Sequence, residues 1–238
     1  MKIMIDFTPK ATNDMVFSNN TSRTTIHSIS DGKLPFPKNG ISGLLFYGVY
    51  GSGKTTYADV FCNELEIIRG GQQGTANVHS IDCGKVTNFS KTIQNCEGCC
   101  NWVPLTYSSL VYFIFDEVDN LKLNEQRLLK TFMNRENIVC ILTTNYLNRV
   151  DDGVRDRCYE IDFNAANSIN YLPRLRQLIV QNNLTPLSDK FLLNLVQKSN
   201  GSWRKLASYV LFHCSKKQSF TVVSTEKSTV ATQVRKTK

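Results

Sequence analysis

The chain has 238 residues, of which 41% are apolar and 20% charged, with eight cysteines and a formal charge of +8. This length buries a core without help from disulfides or a structural metal, and the composition excludes wholesale disorder. No apolar run reaches the roughly 18–20 residues that span a bilayer, and Lys2 and Asp6 interrupt any signal-peptide apolar region.

In chain order, residues 1–40 are polar, rich in Asn, Ser and Thr, and carry Pro9, Pro35 and Pro37. They read as irregular structure, poorly defined over residues 1–30, with a short helix near Thr21–Ser30. Leu44-Leu45-Phe46-Tyr47 is a short apolar run stopped by Gly48, the pattern of a buried parallel strand. Lys54–Ile68 places Ala58, Phe61, Cys62 and Leu65 near helical spacing, and Gly70-Gly71 end it. Strands follow at Val78–Asp82, Val111–Phe115 and Ile138–Leu142. Between the last two, a helix over Asn124–Asn134 carries Leu128, Leu129 and Phe132 on one face. Tyr159–Phe163 alternates as a fifth strand. Short strands alternating with helices predict an α/β domain with a parallel sheet and helices on both faces, over residues 1–163. Three helical segments then follow without a strand: Ser168–Asn182, Ser188–Lys198 and Ser202–Ser215. They make a small all-helical domain over 164–215, and 216–238 reads as a disordered basic tail.

Charge divides along these boundaries. Residues 1–163 hold 16 Lys and Arg against 18 Asp and Glu, while 164–215 and 216–238 each hold six against one. The excess in the last third suits a polyanionic partner, nucleic acid first, or equally a solubilising surface with a basic tail.

Gly48-Val49-Tyr50-Gly51-Ser52-Gly53-Lys54-Thr55 satisfies G-x-x-x-x-G-K-[ST] without mismatch, between a strand and a helix. Gly48, Gly51 and Gly53 let backbone N–H groups turn inward around phosphate oxygens, with Ser52 and Thr56 flanking the cradle. The helix N-terminus adds a favourable partial charge. Lys54 is expected at the β- and γ-phosphates of ATP, and Thr55 on Mg²⁺. Asp116 closes the third strand, where a buried unpaired carboxylate would cost several kcal/mol; beside a phosphate loop it is a second Mg²⁺ ligand. Glu117 then polarises a water for attack on the γ-phosphate. Asn145, after Thr143-Thr144, lies at the carboxyl end of the fourth strand, where open parallel sheets bind ligands. Its neutral amide orients the water without repelling it, although alone it reads as a turn residue.

These motifs, in this order and followed by a helical segment, resemble an AAA+ ATPase. Val154-Arg155-Asp156-Arg157-Cys158 resembles the Ser-Arg-Cys motif of clamp-loader ATPase subunits, Gly201-Ser202-Trp203-Arg204-Lys205-Leu206 their sensor-2 segment, and Gly32-Lys33-Leu34-Pro35 the stretch before their phosphate loop. The likeness covers about residues 30–215 and is to T-even-type bacteriophage clamp loaders and replication factor C small subunits. It implies that Arg157 is an arginine finger reaching a neighbouring subunit's ATP, with Arg155 its rival, and that Arg204 contacts the γ-phosphate from a lid. It further implies an oligomeric ring, a sliding clamp and primer–template DNA as partners, and no membrane. The expected location is the cytoplasm, or a host cell's cytoplasm for a viral chain.

Three departures stand out. Asp156 replaces the usual Ser, and its carboxylate is placed to pair with Arg155 or Arg157. Thr8-Pro9-Lys10 is only a faint echo of the family's Tyr-Arg-Pro element. The third, helical collar domain of such subunits has no counterpart within the 238 residues.

Cys96-Glu97-Gly98-Cys99-Cys100, with Cys83 and His79 upstream, raises a zinc site, but lacks a second C-x-x-C. Cys62, Cys140 and Cys214 read as core fillers. Lys85, Lys91 and Lys122 lie where the resemblance implies template contacts, which would be independent of sequence and sensitive to salt. Two other functions stay open: another replication ATPase (helicase loader, initiator or superfamily-3-type viral helicase), and a nucleotide-dependent scaffold without catalysis.

Overall fold

A computed structural model describes residues 7–101 and 108–214; the tail expected over 216–238 lies outside the described residues. Two compact units emerge: Thr8–Ala166, and a second that among the described residues comprises Phe7 and the chain from Asn167 onward.

The first unit is built on five parallel strands: β1 (Gly43–Tyr47), β2 (Asn77–Asp82), β3 (Val111–Asp116), β4 (Ile138–Thr144) and β5 (Cys158–Asp162). Their order across the sheet is β2-β3-β4-β1-β5. In register, Gly43 faces Cys140 and Cys158, and Tyr47 faces Thr144 and Asp162. The central strands are nearly continuous apolar runs because helices cover both faces. Alternate residues build two cores. Leu45, Phe113, Phe115, Cys140 and Leu142 pack on one face with Leu129 and Phe132. Leu44, Phe46, Tyr112, Ile114, Val139 and Ile141 pack on the other with Tyr57 and Phe61.

The helices of this unit are α1 (Asn20–Ser30), α2 (Lys54–Ile68), α3 (Phe89–Asn101), α4 (Leu123–Phe132) and the single turn α5 (Asp152–Arg155). The segment read as poorly defined up to residue 30 is instead packed from residue 8 onward. Its polar residues bond to specific partners: Asn19 caps α1 by accepting from Ser22 N, Ser22 Oγ accepts from Asp162 N, and Ser18 Oγ donates to Asp162 O. Ile26 and Ile29 anchor α1 in the core. Helix α3 had no counterpart in the sequence reading. Phe89, Ile93 and Cys96 recur at helical spacing as its buried stripe, a signal masked by the cysteine cluster. Strand β4 runs two residues past its expected end, because the hydroxyls of buried Thr143 and Thr144 are satisfied by carboxylates. In α4 the buried stripe is Gln126, Leu129 and Phe132; Leu128, expected on the core face, lies at its rim and is 41% exposed.

The second unit is helical: α6 (Leu172–Gln181), α7 (Asp189–Ser199) and α8 (203–214). Leu175, Leu178, Leu192, Leu195, Leu206 and Val210 are buried within it, and Arg176 pairs with Asp189. No helix among the described residues is long and apolar enough to cross a membrane.

Candidate active site

The phosphate loop leaves the carboxyl end of β1 and closes on α2. Three of its glycines have positive φ: Gly48 (140°), Gly51 (71°) and Gly53 (96°). At Gly48 the requirement is doubled, since a Cβ there would lie 2.5 Å from the Phe163 carbonyl carbon. Gly53 caps α2 in the left-handed region, and Tyr57 N donates to its carbonyl at 2.9 Å. Ser52 is buried, while Thr55 and Thr56 are exposed on the first turn of α2.

Lys54 is 7% exposed. Its ammonium donates to Gly48 O and Val49 O, both at 2.9 Å, and to Asn145 Oδ1 at 2.8 Å. The structure therefore brings the phosphate-loop lysine and the fourth-strand asparagine into direct contact. A nucleotide's phosphate oxygens would take over from these neutral acceptors. Thr55 Oγ1 donates to Asp116 Oδ1 at 2.6 Å, so two hard oxygen donors from different elements face one point. That donor set fits Mg²⁺, which takes few protein ligands and keeps phosphate oxygens and waters as the rest.

Asp116 ends β3 half-buried, and Thr143 Oγ1 donates to the same Oδ1. The Thr143 hydroxyl also accepts from Glu117 N at 3.0 Å. Glu117 has φ 57°, a left-handed turn immediately after β3. Asn120 Nδ2 donates to Glu117 Oε2 at 3.1 Å. Thr144 Oγ1 donates to Asp119 Oδ1 at 2.6 Å. Thr143, Thr144 and Asn120 were missed as positioning residues. The two threonines ending an otherwise apolar strand were the available signal; Asn120 had none.

The two candidate fingers separate cleanly. Arg155 is held by carboxylates, Glu160 at 2.7 Å and Asp152 at 3.5 Å. Among the described residues, Arg157 donates only to neutral acceptors, Asn134 Oδ1 at 2.8 Å and Gly153 O at 2.7 Å. Asp156, expected to pair with one of them, is exposed and forms no ion pair with either among the described residues. Arg157 immediately precedes β5, and its carbonyl accepts from Gly43 N at the start of β1. The phosphate loop begins at Gly48, after the end of β1, roughly 16 Å away at about 3.3 Å per residue. Within one chain the two sit at opposite ends of neighbouring parallel strands, Arg157 at the amino end of β5 and the phosphate loop at the carboxyl end of β1. Arg204 lies exposed on the first turn of α8, in the helical unit.

Among the described residues no group of three or more His, Cys, Asp or Glu is arranged to hold a metal. The helical spacing of α3 turns Cys96 into the core, where burial first and then Cys99 and Cys100 push its thiol up to about 12. Cys99 Sγ lies 4.0 Å from His79 Nδ1. Of the lysines proposed for template contact, Lys85 pairs with Asp82 at 2.6 Å, and Lys91 and Lys122 are exposed.

Residues 44–164 match the family described as "ATPase family associated with various cellular activities (AAA)". Replication factor C small subunit 2 of Pyrobaculum islandicum is 28% identical over 173 residues, 71% of this chain and 52% of that protein. Replication factor C subunit 4 of Caenorhabditis elegans is 26% identical over 220 residues, covering 84% of this chain and 58% of that protein. The chain thus spans about half the length of the curated relatives it matches. Among solved structures, a RuvB variant from Thermotoga maritima superposes with a TM-score of 0.63 at 14% identity, over 86% of this chain and 64% of that one, a likeness of fold alone. The matched region contains the phosphate loop, the Asp116-Glu117 pair, Asn145 and Arg157, and it extends over half of the sequence: the chain belongs to the AAA ATPase family.

Proposed function

We propose that this chain is the ATP-hydrolysing subunit of a DNA-replication clamp loader, which opens a sliding clamp and places it on primer–template DNA. The observation that carries the catalytic part is the convergence of three motifs: Lys54 bonded to Asn145, and Thr55 bonded to Asp116 beside Glu117. The similarity to replication factor C subunits supports the clamp-loading part.

In this reading Lys54 and the backbone amides of residues 48–54 bind the β- and γ-phosphates. Thr55 and Asp116 would hold Mg²⁺, which when bound would supply charge neutralisation at the phosphates. Glu117, oriented by Asn120 and by Thr143, accepts the proton of the attacking water. Asn145 orients that water through its amide. Arg157 acts on the nucleotide of the next subunit, since its own phosphate loop is at the opposite, carboxyl end of the strands. Arg204 takes the γ-phosphate contact that the resemblance of 201–206 assigns to it. An arginine finger in trans requires a ring or open spiral joined by heterologous interfaces.

The test is steady-state ATPase activity with and without a sliding clamp and primed DNA. Low activity alone, rising severalfold with both, is the expected result. Robust turnover indifferent to both removes the clamp-loader reading, and strand displacement by the purified protein would favour a helicase instead.

A further inference from the structure

We propose that Asn134 is a positioning residue for Arg157, fixing the guanidinium for use by a neighbouring subunit while leaving its charge uncompensated. This rests on Arg157 acting as the finger, and extends that reading to what aims it.

Three separate elements converge on Arg157. Asn134 follows the end of α4 and accepts from Nε at 2.8 Å. Gly153, in α5, accepts from Nη1 at 2.7 Å. The backbone is fixed as well: Ser42 N and Gly43 N both donate to Arg157 O, at 3.2 and 2.9 Å. These anchors are themselves tied down. Ser42 Oγ donates to Met133 O at 2.7 Å, which holds the residue before Asn134 to the start of β1. Gly153 N donates to Asp151 Oδ1 at 2.9 Å, which fixes the α5 carbonyl. Both ends of the arginine are thus restrained before any neighbour arrives.

The chemistry of the restraints matters as much as their number. Guanidinium has five N–H donors in a rigid fork. Two are engaged here, and among the described residues Nη2 has no acceptor. A carboxylate would orient the fork equally well but would cancel the charge needed against a transferring phosphoryl group. Arg155, two residues earlier, is in that cancelled state through Glu160. An amide and a peptide carbonyl orient without neutralising. The end of α4 adds the weak negative potential of a helix C-terminus, which favours a cation without pairing it. The half-buried side chain therefore keeps a net charge at the amino end of the strands, opposite the end that carries its own phosphate loop.

The test uses the full chain with clamp and primed DNA, and compares Asn134→Ala, Asn134→Asp and Arg157→Ala. Arg157→Ala is expected to lose nearly all stimulated turnover. Asn134→Ala is expected to lose kcat by roughly tenfold to a hundredfold, the scale of a misplaced catalytic group, with binding of a fluorescent ATP analogue unchanged. Mixing Asn134→Ala with Glu117→Gln supplies correctly aimed fingers from subunits that do not themselves turn over ATP. Hydrolysis is expected to rise severalfold above the sum of the two alone, which a folding defect in Asn134→Ala would not allow. The isosteric Asn134→Asp keeps an acceptor and the fold but adds a charge; its kcat is also expected to fall. If Arg157→Ala turns over like the wild type, the finger reading itself fails. If Arg157→Ala is inactive while Asn134→Ala is fully active, or if mixing gives no gain, the positioning role is overturned and the finger stands. Full activity in Asn134→Asp would overturn the requirement for a neutral acceptor.

Discussion

At Lys54 one buried ammonium touches two carbonyls of its own loop and the amide of Asn145, so its removal strips the site of its cation and of the link between two motifs. Lys54→Ala is expected to weaken binding of an ATP analogue by roughly 2–5 kcal/mol, the usual effect of truncating a buried hydrogen-bonded charge, as read by fluorescence titration. Glu117→Gln keeps the bonds to Asn120 and Thr143 within reach but loses basicity. Its ATP affinity should stay near that of the wild type while kcat falls by about 10²–10⁴-fold; retained turnover in a quenched radiometric assay would reassign the base. Both residues were legible in the sequence because their motifs are local: a strand end, a fixed number of residues, a helix start. Thr143, Asn120 and Asn134 were not. Their partners are 27, 3 and 23 residues away, and the relations depend on strand register, on one left-handed turn at Glu117, and on the end of α4 meeting the start of β5.

At the scale of elements, the loop between β1 and α2 works only because the chain after β5 runs against it. Gly48→Ala would place a Cβ against Phe163 in a backbone region that L side chains avoid. It should destabilise the protein by about 1–3 kcal/mol in urea unfolding, as overpacking and strain do. Helix α4 offers a paired test of its buried face. Leu129→Ala should cost about 2–5 kcal/mol, whereas Leu128→Ala should stay within about 0.5 kcal/mol; equal losses would show that both face the core. The positions of the strands were readable because each is a short apolar run closed by a polar or glycine residue. Helix α3 was not, since its stripe of Phe89, Ile93 and Cys96 is interrupted by polar residues and cysteines that invite a different reading. The N-terminal segment was underread for a related reason: its Ser and Asn side chains look like loop composition until the backbone of β5 is there to accept and donate.

For the whole molecule, the cysteines report on how closed the core is. Burial is the first cause that raises the thiols of Cys62, Cys83, Cys140 and Cys158 well above their ordinary range. These four should resist maleimide at pH 7 in the native protein and react in urea, as mass mapping would show; rapid native labelling of Cys140 would contradict the packed sheet. The same burial makes them ordinary core residues rather than redox or metal sites. By itself the sequence determined the class of fold and the ATPase family, because a phosphate loop and a strand-ending Asp-Glu are short-range patterns with one geometric meaning. The split of charge between the first 163 residues and the rest was likewise open to counting. Only the tertiary structure decided which arginine is paired with carboxylates. Arg155 and Arg157 are indistinguishable as letters two positions apart, and what separates them is a carboxylate on β5 in one case and an amide beyond α4 in the other. Charge on a side chain is set by its residue type, but whether that charge remains available depends on which acceptors the fold brings within hydrogen-bonding distance.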